Sequence, residues 1–85
     1  MKAIGKNIDG EEKEFKINNN TVYCSINQLT ELKIPNGVKY VYCSINPIAE
    51  ITLPNSIKRA ELPLNCNVLN IDEFKNKDEV EIYFI

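Results

Sequence analysis

Apolar and polar positions along residues 22–36 recur 19 positions later along residues 41–55. Val22, Cys24, Asn27, Leu29 and Leu32 in one copy become Val41, Cys43, Asn46, Ile48 and Ile51 in the next, and Pro35-Asn36 becomes Pro54-Asn55. Within each copy the first two apolar residues stand two apart, the period of a strand with one face inward. Repeated strands of this kind bury their faces by stacking side by side as a parallel sheet. Pro35 and Pro54 work against a helix in the returning half of each coil, and so short a period leaves little room for one. The return is therefore expected to be extended or 3₁₀. A third, degenerate copy is read as Leu62, Leu64, Asn67 and Leu69 if two residues are inserted. An unbroken period would instead set Asn65 in the asparagine slot and Asn67 in an apolar one.

The two ends carry other patterns. Lys2 to Ile8 and Glu12 to Ile17 flank Asp9-Gly10, a turn signal between two strands. Phe15 lies one full period before Ile34, which suggests a hairpin running straight into the first coil. Asp72 to Asn76 fit one helical turn capped by Asp72 or Asn70. Val80, Ile82 and Phe84 then alternate with Glu81, Tyr83 and Ile85, a last strand that either closes the sheet or offers an edge to a second molecule. The expected architecture is all-β or mainly β. One domain spans residues 1–85, with a hairpin cap over 1–17, repeats over 18–71 and a turn-and-strand cap over 72–85.

The pattern apolar-x-apolar-x-x-Asn-x-apolar-x-x-apolar, carried by Val22, Cys24, Asn27, Leu29 and Leu32 and again by Val41, Cys43, Asn46, Ile48 and Ile51, resembles the leucine-rich repeat in a short variant form. The resemblance covers roughly residues 17 to 71. It implies a solenoid with a parallel sheet whose exposed face grips another protein. A turn must follow each strand, and its backbone groups need partners once the next coil covers them. The amides of Asn27, Asn46 and Asn67 carry both donor and acceptor for that purpose, as a ladder along the stack.

Composition narrows the functional classes. The 85 residues are 44% apolar and 26% charged, with a formal charge of -2, and Lys and Glu are interspersed. No basic stripe for nucleic acid is present, no apolar run reaches membrane-spanning length, and the N-terminal residues lack a secretory pattern. The expected location is the cytoplasm. Without histidine the commonest general base and metal ligand is missing, and Cys24, Cys43 and Cys66 match no zinc spacing. They read as buried thiols. Asp72-Glu73 and Asp78-Glu79 read as solvated acids. Neither catalysis nor a cofactor or metal is expected.

The strand pattern leaves an outward face instead. Tyr23 and Ser25 flank the inward Cys24, Tyr42 and Ser44 repeat them one coil on, and Tyr40 precedes the second strand. Stacking aligns Tyr23 with Tyr42 at about 4.8 Å strand spacing. Tyrosine buries large area while keeping a polar tip, a property favoured at interfaces. Arg59 and Glu61 are placed as a rim to this row. Ile26 and Ile45 either extend an apolar patch or tuck into the core. Glu31, Lys33, Lys39, Glu50, Thr52 and Lys58 read as solvated charges and polar groups on the far side. The leading expectation is a protein-binding module, in the form of a small inhibitor of a host or defence enzyme from a virus, acting in the host cytoplasm. The alternative is a self-assembly element forming a homodimer through its last strand or open ends.

Overall fold

The computed structural model describes all residues, 1–85. Nine strands form, β1 (Lys2–Asn7), β2 (Glu12–Lys16), β3 (Thr21–Tyr23), β4 (Leu29–Lys33), β5 (Tyr40–Tyr42), β6 (Glu50–Ile51), β7 (Arg59–Leu62), β8 (Asn67–Val68) and β9 (Glu81–Phe84). A short 3₁₀ turn covers Ile71–Phe74. The chain winds as a β-solenoid of about three turns. One side is a four-stranded parallel sheet in the order β3-β5-β7-β9. The returning halves are β4, β6 and β8, extended as the prolines and short period require, with β6 and β8 paired in parallel. No helix is long and apolar enough to cross a membrane.

Register follows the period. Val22 pairs with Val41 and Val41 with Ala60, each one period further along the chain. These residues, with Cys24, Cys43 and Leu62 from the same coils, point inward and are fully or almost fully buried. Leu29, Leu32, Ile48, Ile51, Leu53 and Val68 meet them from the other side, and the whole forms one core cluster. All three cysteines are free and buried. Cys24 and Cys43 act as small apolar fillers in the inward slot that Leu62 takes in the third coil.

The third coil corrects the expected insertion. Its strand keeps the register of the repeat, with Ala60 and Leu62 in the inward slots, and the return then runs two residues short. Asn67 pairs with Glu50 and Val68 with Ile51, an offset of 17. Leu64 is left exposed at 68% and takes no core position. Ala60, too small to look like a repeat leucine, is the residue that disguised the register.

The asparagine ladder is also corrected, to one fully bonded rung. The Asn46 Oδ1 accepts from the N–H groups of Asn27 and Leu29, at 3.0 Å each. Its Nδ2 donates to the carbonyls of Cys24, Cys43 and Ser44 at 2.9–3.2 Å. Asn27 is exposed at the first coil and donates only to Ser25 O, 2.9 Å away. The Asn67 side chain stands exposed in β8 and bonds nothing, because the shortened third coil moves it out of the bend. Asn70 bridges the second and third coils instead, donating to Leu53 O at 2.8 Å and accepting from Leu53 N–H at 3.1 Å. It therefore sits at the start of the 3₁₀ turn without a side-chain capping bond.

The N-terminal hairpin does not run into the first coil as another turn of it. β1 pairs antiparallel with β2 and with β4, so the hairpin extends the returning side, and the Phe15–Ile34 spacing is not a coil register. Ala3, Gly5 and Asn7 face inward. A Cβ on Gly5 would lie 2.9 Å from Glu31 O and 3.0 Å from a Leu29 methyl, so only glycine lets the hairpin sit this close. Gly10 closes the turn at φ +78°, where the Asn7 side chain accepts from Asp9 and Glu11 N–H. Asn18 and Thr21 then exchange both backbone hydrogen bonds as the chain enters β3.

Candidate interaction surface

Period-two alternation with Val22, Val41, Ala60 and Ile82 inward forces their neighbours onto the outer face of the four-stranded sheet. Strand pairing arranges those neighbours in two rows. Thr21, Tyr40, Arg59 and Glu81 form one, and Tyr23, Tyr42, Glu61 and Tyr83 the other. In-register parallel strands thus carry the sequence repeat into an aligned surface.

The first half of the surface is aromatic. The Tyr23 and Tyr42 rings are stacked, 5.2 Å between centroids and 11° from parallel. Tyr42 is half-buried by this contact, and Tyr23, the outer member, stays 72% exposed. Tyr40 is half-buried beside Thr21 and Arg59. The next outward positions, Ser25 and Ser44, serve the fold. Their hydroxyls lie 3.3 Å apart, and Ser25 Oγ donates to Tyr42 O at 3.2 Å.

The second half is ionic. Arg59 reaches Glu61 at 3.1 Å and Glu81 at 3.8 Å, and its guanidinium lies 4.7 Å above the Tyr83 ring. Hydrogen bonding to Glu61 raises the Arg59 pKa further. The Tyr83 hydroxyl donates to Glu81 at 2.5 Å, and that bond, more than the nearby charge, holds the phenol protonated to higher pH. Arg59 is therefore a central fork rather than a rim. It orients three side chains over two strands while its charge is largely compensated.

Glu81 and Tyr83 are the members that reading the sequence missed. Their signal was present in the alternation of residues 80–85, and what was absent was the placement of that strand, which pairs with β7 off the period of the repeat. Ile26 and Ile45, undecided from sequence, are exposed at 71% and 66%, on backbone with φ of 58° and 57°. With the exposed Leu64 they recur one per coil, in the bend that follows each strand. Across the molecule, Glu31, Lys33, Glu50 and Thr52 border an open groove on the returning side and are solvated. Lys58 is exposed and Lys39 half-buried. Asp72 is exposed and pairs with Lys75 at 2.6 Å.

Comparison with protein-family models, with curated proteins and with solved structures finds no match to this chain.

Proposed function

We propose that this chain is a protein-interaction module that docks on a partner protein through the outer face of its parallel sheet, without catalysis. The observation that carries the reading is the exposed Tyr23–Tyr42 stack continued by the Arg59–Glu61–Glu81–Tyr83 cluster. Tyrosine and arginine are the residues that most often dominate binding energy, and here both are held in place before any partner arrives. A pre-ordered face loses little side-chain entropy on binding. The resemblance of residues 17–71 to leucine-rich repeats supports the same mode. In this reading Tyr23, Tyr40, Tyr42, Arg59 and Glu61 make the contact, and Ser25 and Ser44 keep the coils in register beneath it. A rigid body this small works best by covering a surface, and so acts as an inhibitor of a larger enzyme. The proposed setting is the cytoplasm, and for a virus-encoded anti-defence protein that of the host.

The test is a pull-down from source-cell lysate with wild type and with Tyr23→Ala/Tyr42→Ala, both checked by circular dichroism and then titrated against the captured protein. The double variant is expected to fold and to bind at least about 30-fold more weakly, on the order of 2 kcal/mol. Equal affinity of the two proteins overturns the tyrosine-face assignment.

A further inference from the structure

The four-stranded sheet ends at β3 on one side and at β9 on the other, and along the outer edge of β9 a run of backbone groups is unused. Glu81 and Ile85 donate their N–H groups to Lys58 and Leu62 carbonyls of the neighbouring coil, at 2.9 and 2.8 Å. In a parallel ladder the odd positions of β9 therefore face β7, and the N–H and C=O groups of Ile82 and Phe84 face outward. No strand lies on that side. The inward side chains are also incompletely covered. Ile82 is half-buried and Phe84 is 42% exposed, while Ala60 and Leu62, one coil earlier, are fully enclosed. Ile82 to Phe84 contain no lysine, proline or bulge of the kind that protects a sheet edge.

From this we infer that β9 is a dimerisation edge, and that its occupant is β9 of a second copy, running antiparallel about a twofold axis through Tyr83. This goes beyond the tyrosine-face reading and stands independently of it. In that register Ile82 of each copy faces Phe84 of the other, and each such pair exchanges both its hydrogen bonds. Tyr83 faces Tyr83 across the non-hydrogen-bonded position. The apolar pair falls on the inner side, where it completes the cover that Phe84 lacks. The charge of Glu81 is already held by Arg59 and the Tyr83 hydroxyl within each copy.

A second copy fits this edge better than endless stacking does. Head-to-tail growth would set β9 against β3 of the next molecule. The outer side of β3 is closed at its start, where Asn18 and Thr21 bond each other, and β2 lies close by. Only Tyr23 of β3 keeps free outward backbone groups, too short a run for a strand pair, so the contact is β9 on β9, self-complementary and ending at two. The result is one eight-stranded sheet with both tyrosine faces on the same side. A contact of this size falls below the standard interface of about 800 Å² per partner, so the dimer is weak and reversible.

The test is sedimentation velocity of the full chain across a wide concentration range, with two variants. Phe84→Pro removes an outward N–H and the ring of the apolar pair, and spares the bonds to β7. Tyr83→Cys puts two thiols at a non-hydrogen-bonded pair, about 4.5 Å apart between Cα atoms, within disulfide reach. The native thiols are buried and do not compete. Wild type is expected to pass reversibly from monomer to dimer, Phe84→Pro to dimerise at least about tenfold more weakly, and Tyr83→Cys to give a covalent dimer under oxidised glutathione while Glu61→Cys does not. A wild type that stays monomeric at every concentration overturns the inference. So do a dimer indifferent to Phe84→Pro, a failure of Tyr83→Cys to cross-link, and growth past the dimer.

Discussion

Between the first and second coils the sheet side shifts by one and the same period: strand on strand, stacked tyrosine on tyrosine, cysteine on cysteine, serine on serine. Between the second and third coils the strands keep that shift, but the returning halves shift by 17. The outward pair changes from two tyrosines to an arginine–glutamate fork. The polar bridge changes too, from Asn46 with five bonds around one bend to Asn70 with two bonds at another. Only the strand register and the inward apolar alternation are common to both joints. That contrast separates what stacking demands from what the repeat merely permits. A parallel ladder requires matched inward residues, while the length and chemistry of the bends can drift where another side chain satisfies the backbone.

If the first joint depends on one amide, Asn46→Ala breaks it. The substitution leaves the N–H groups of Asn27 and Leu29 and the carbonyls of Cys24 and Cys43 without that partner in a largely buried bend. The expected loss, on the order of 3 kcal/mol or more, is a large part of the stability of a small domain. Asn27→Ala loses one exposed bond, and Asn67→Ala loses none, so both are expected within about 0.5 kcal/mol of wild type. Urea unfolding of the three variants checks the order. Similar losses at all three positions would restore a continuous ladder and remove the difference between the joints.

The contrast also explains what was readable beforehand. Val22, Cys24, Val41 and Cys43 announce the first joint because sequence period and structural period coincide there. The mainly β class, the parallel sheet, the Asp9-Gly10 turn and the Tyr23–Tyr42 row all follow from patterns of that regular, local kind. In the third coil the two periods part. Ala60 fills an inward slot by virtue of its small volume, and the apolar run Leu62-Pro63-Leu64 invites a shifted alignment that the hydrogen bonds of β7 exclude. The ionic half of the face suffered most, since Glu81 and Tyr83 reach Arg59 through a connection that breaks the period and includes a 3₁₀ turn. A period cannot foretell contacts made across an irregular connection. The hairpin's antiparallel docking on β4 was hidden for the same reason, although Gly5 marks the close approach once it is seen.

Titration sharpens the comparison from the third coil. Burial pushes the Cys66 thiol from its ordinary 9.0 up to about 11, with a smaller contribution from Cys43. Cys43 is raised much further, first by its hydrogen bond with Cys24 and then by burial. A pKa raised in the folded state means that the folded protein holds its proton where the unfolded chain has lost it. Each thiol's contribution is therefore complete below pH 9.0 and, for Cys66, is lost as pH rises to about 11. Cys66→Ala is expected to lose less stability than wild type between about pH 8 and about pH 10.5, by on the order of 1–2 kcal/mol in urea melts. Identical alkaline slopes would mean that the third coil leaves Cys66 solvated, and that the second joint is looser than its buried thiol indicates.

The smallest expected effect concerns the bends themselves. Ile26 and Ile45 adopt φ of 58° and 57°, a region where a β-branched side chain is strained and asparagine is at ease. Leu64 holds the corresponding place in the third coil, one period after Ile45, without that strain, because the shortened bend takes another path. Both isoleucines are exposed, so removing them uncovers no core. Ile45→Asn, and Ile26→Asn in parallel, are accordingly expected to stabilise the fold by about 0.5–1 kcal/mol, raising Tm by a few degrees. Leu64→Asn should leave Tm unchanged, and thermal denaturation of the three variants measures the difference. A fall in Tm for either isoleucine variant would show that its side chain packs on the neighbouring coil. A rise would leave the first joint carrying strain for an exposed aliphatic ridge that its own folding does not need, which is the signature of a surface kept for contact.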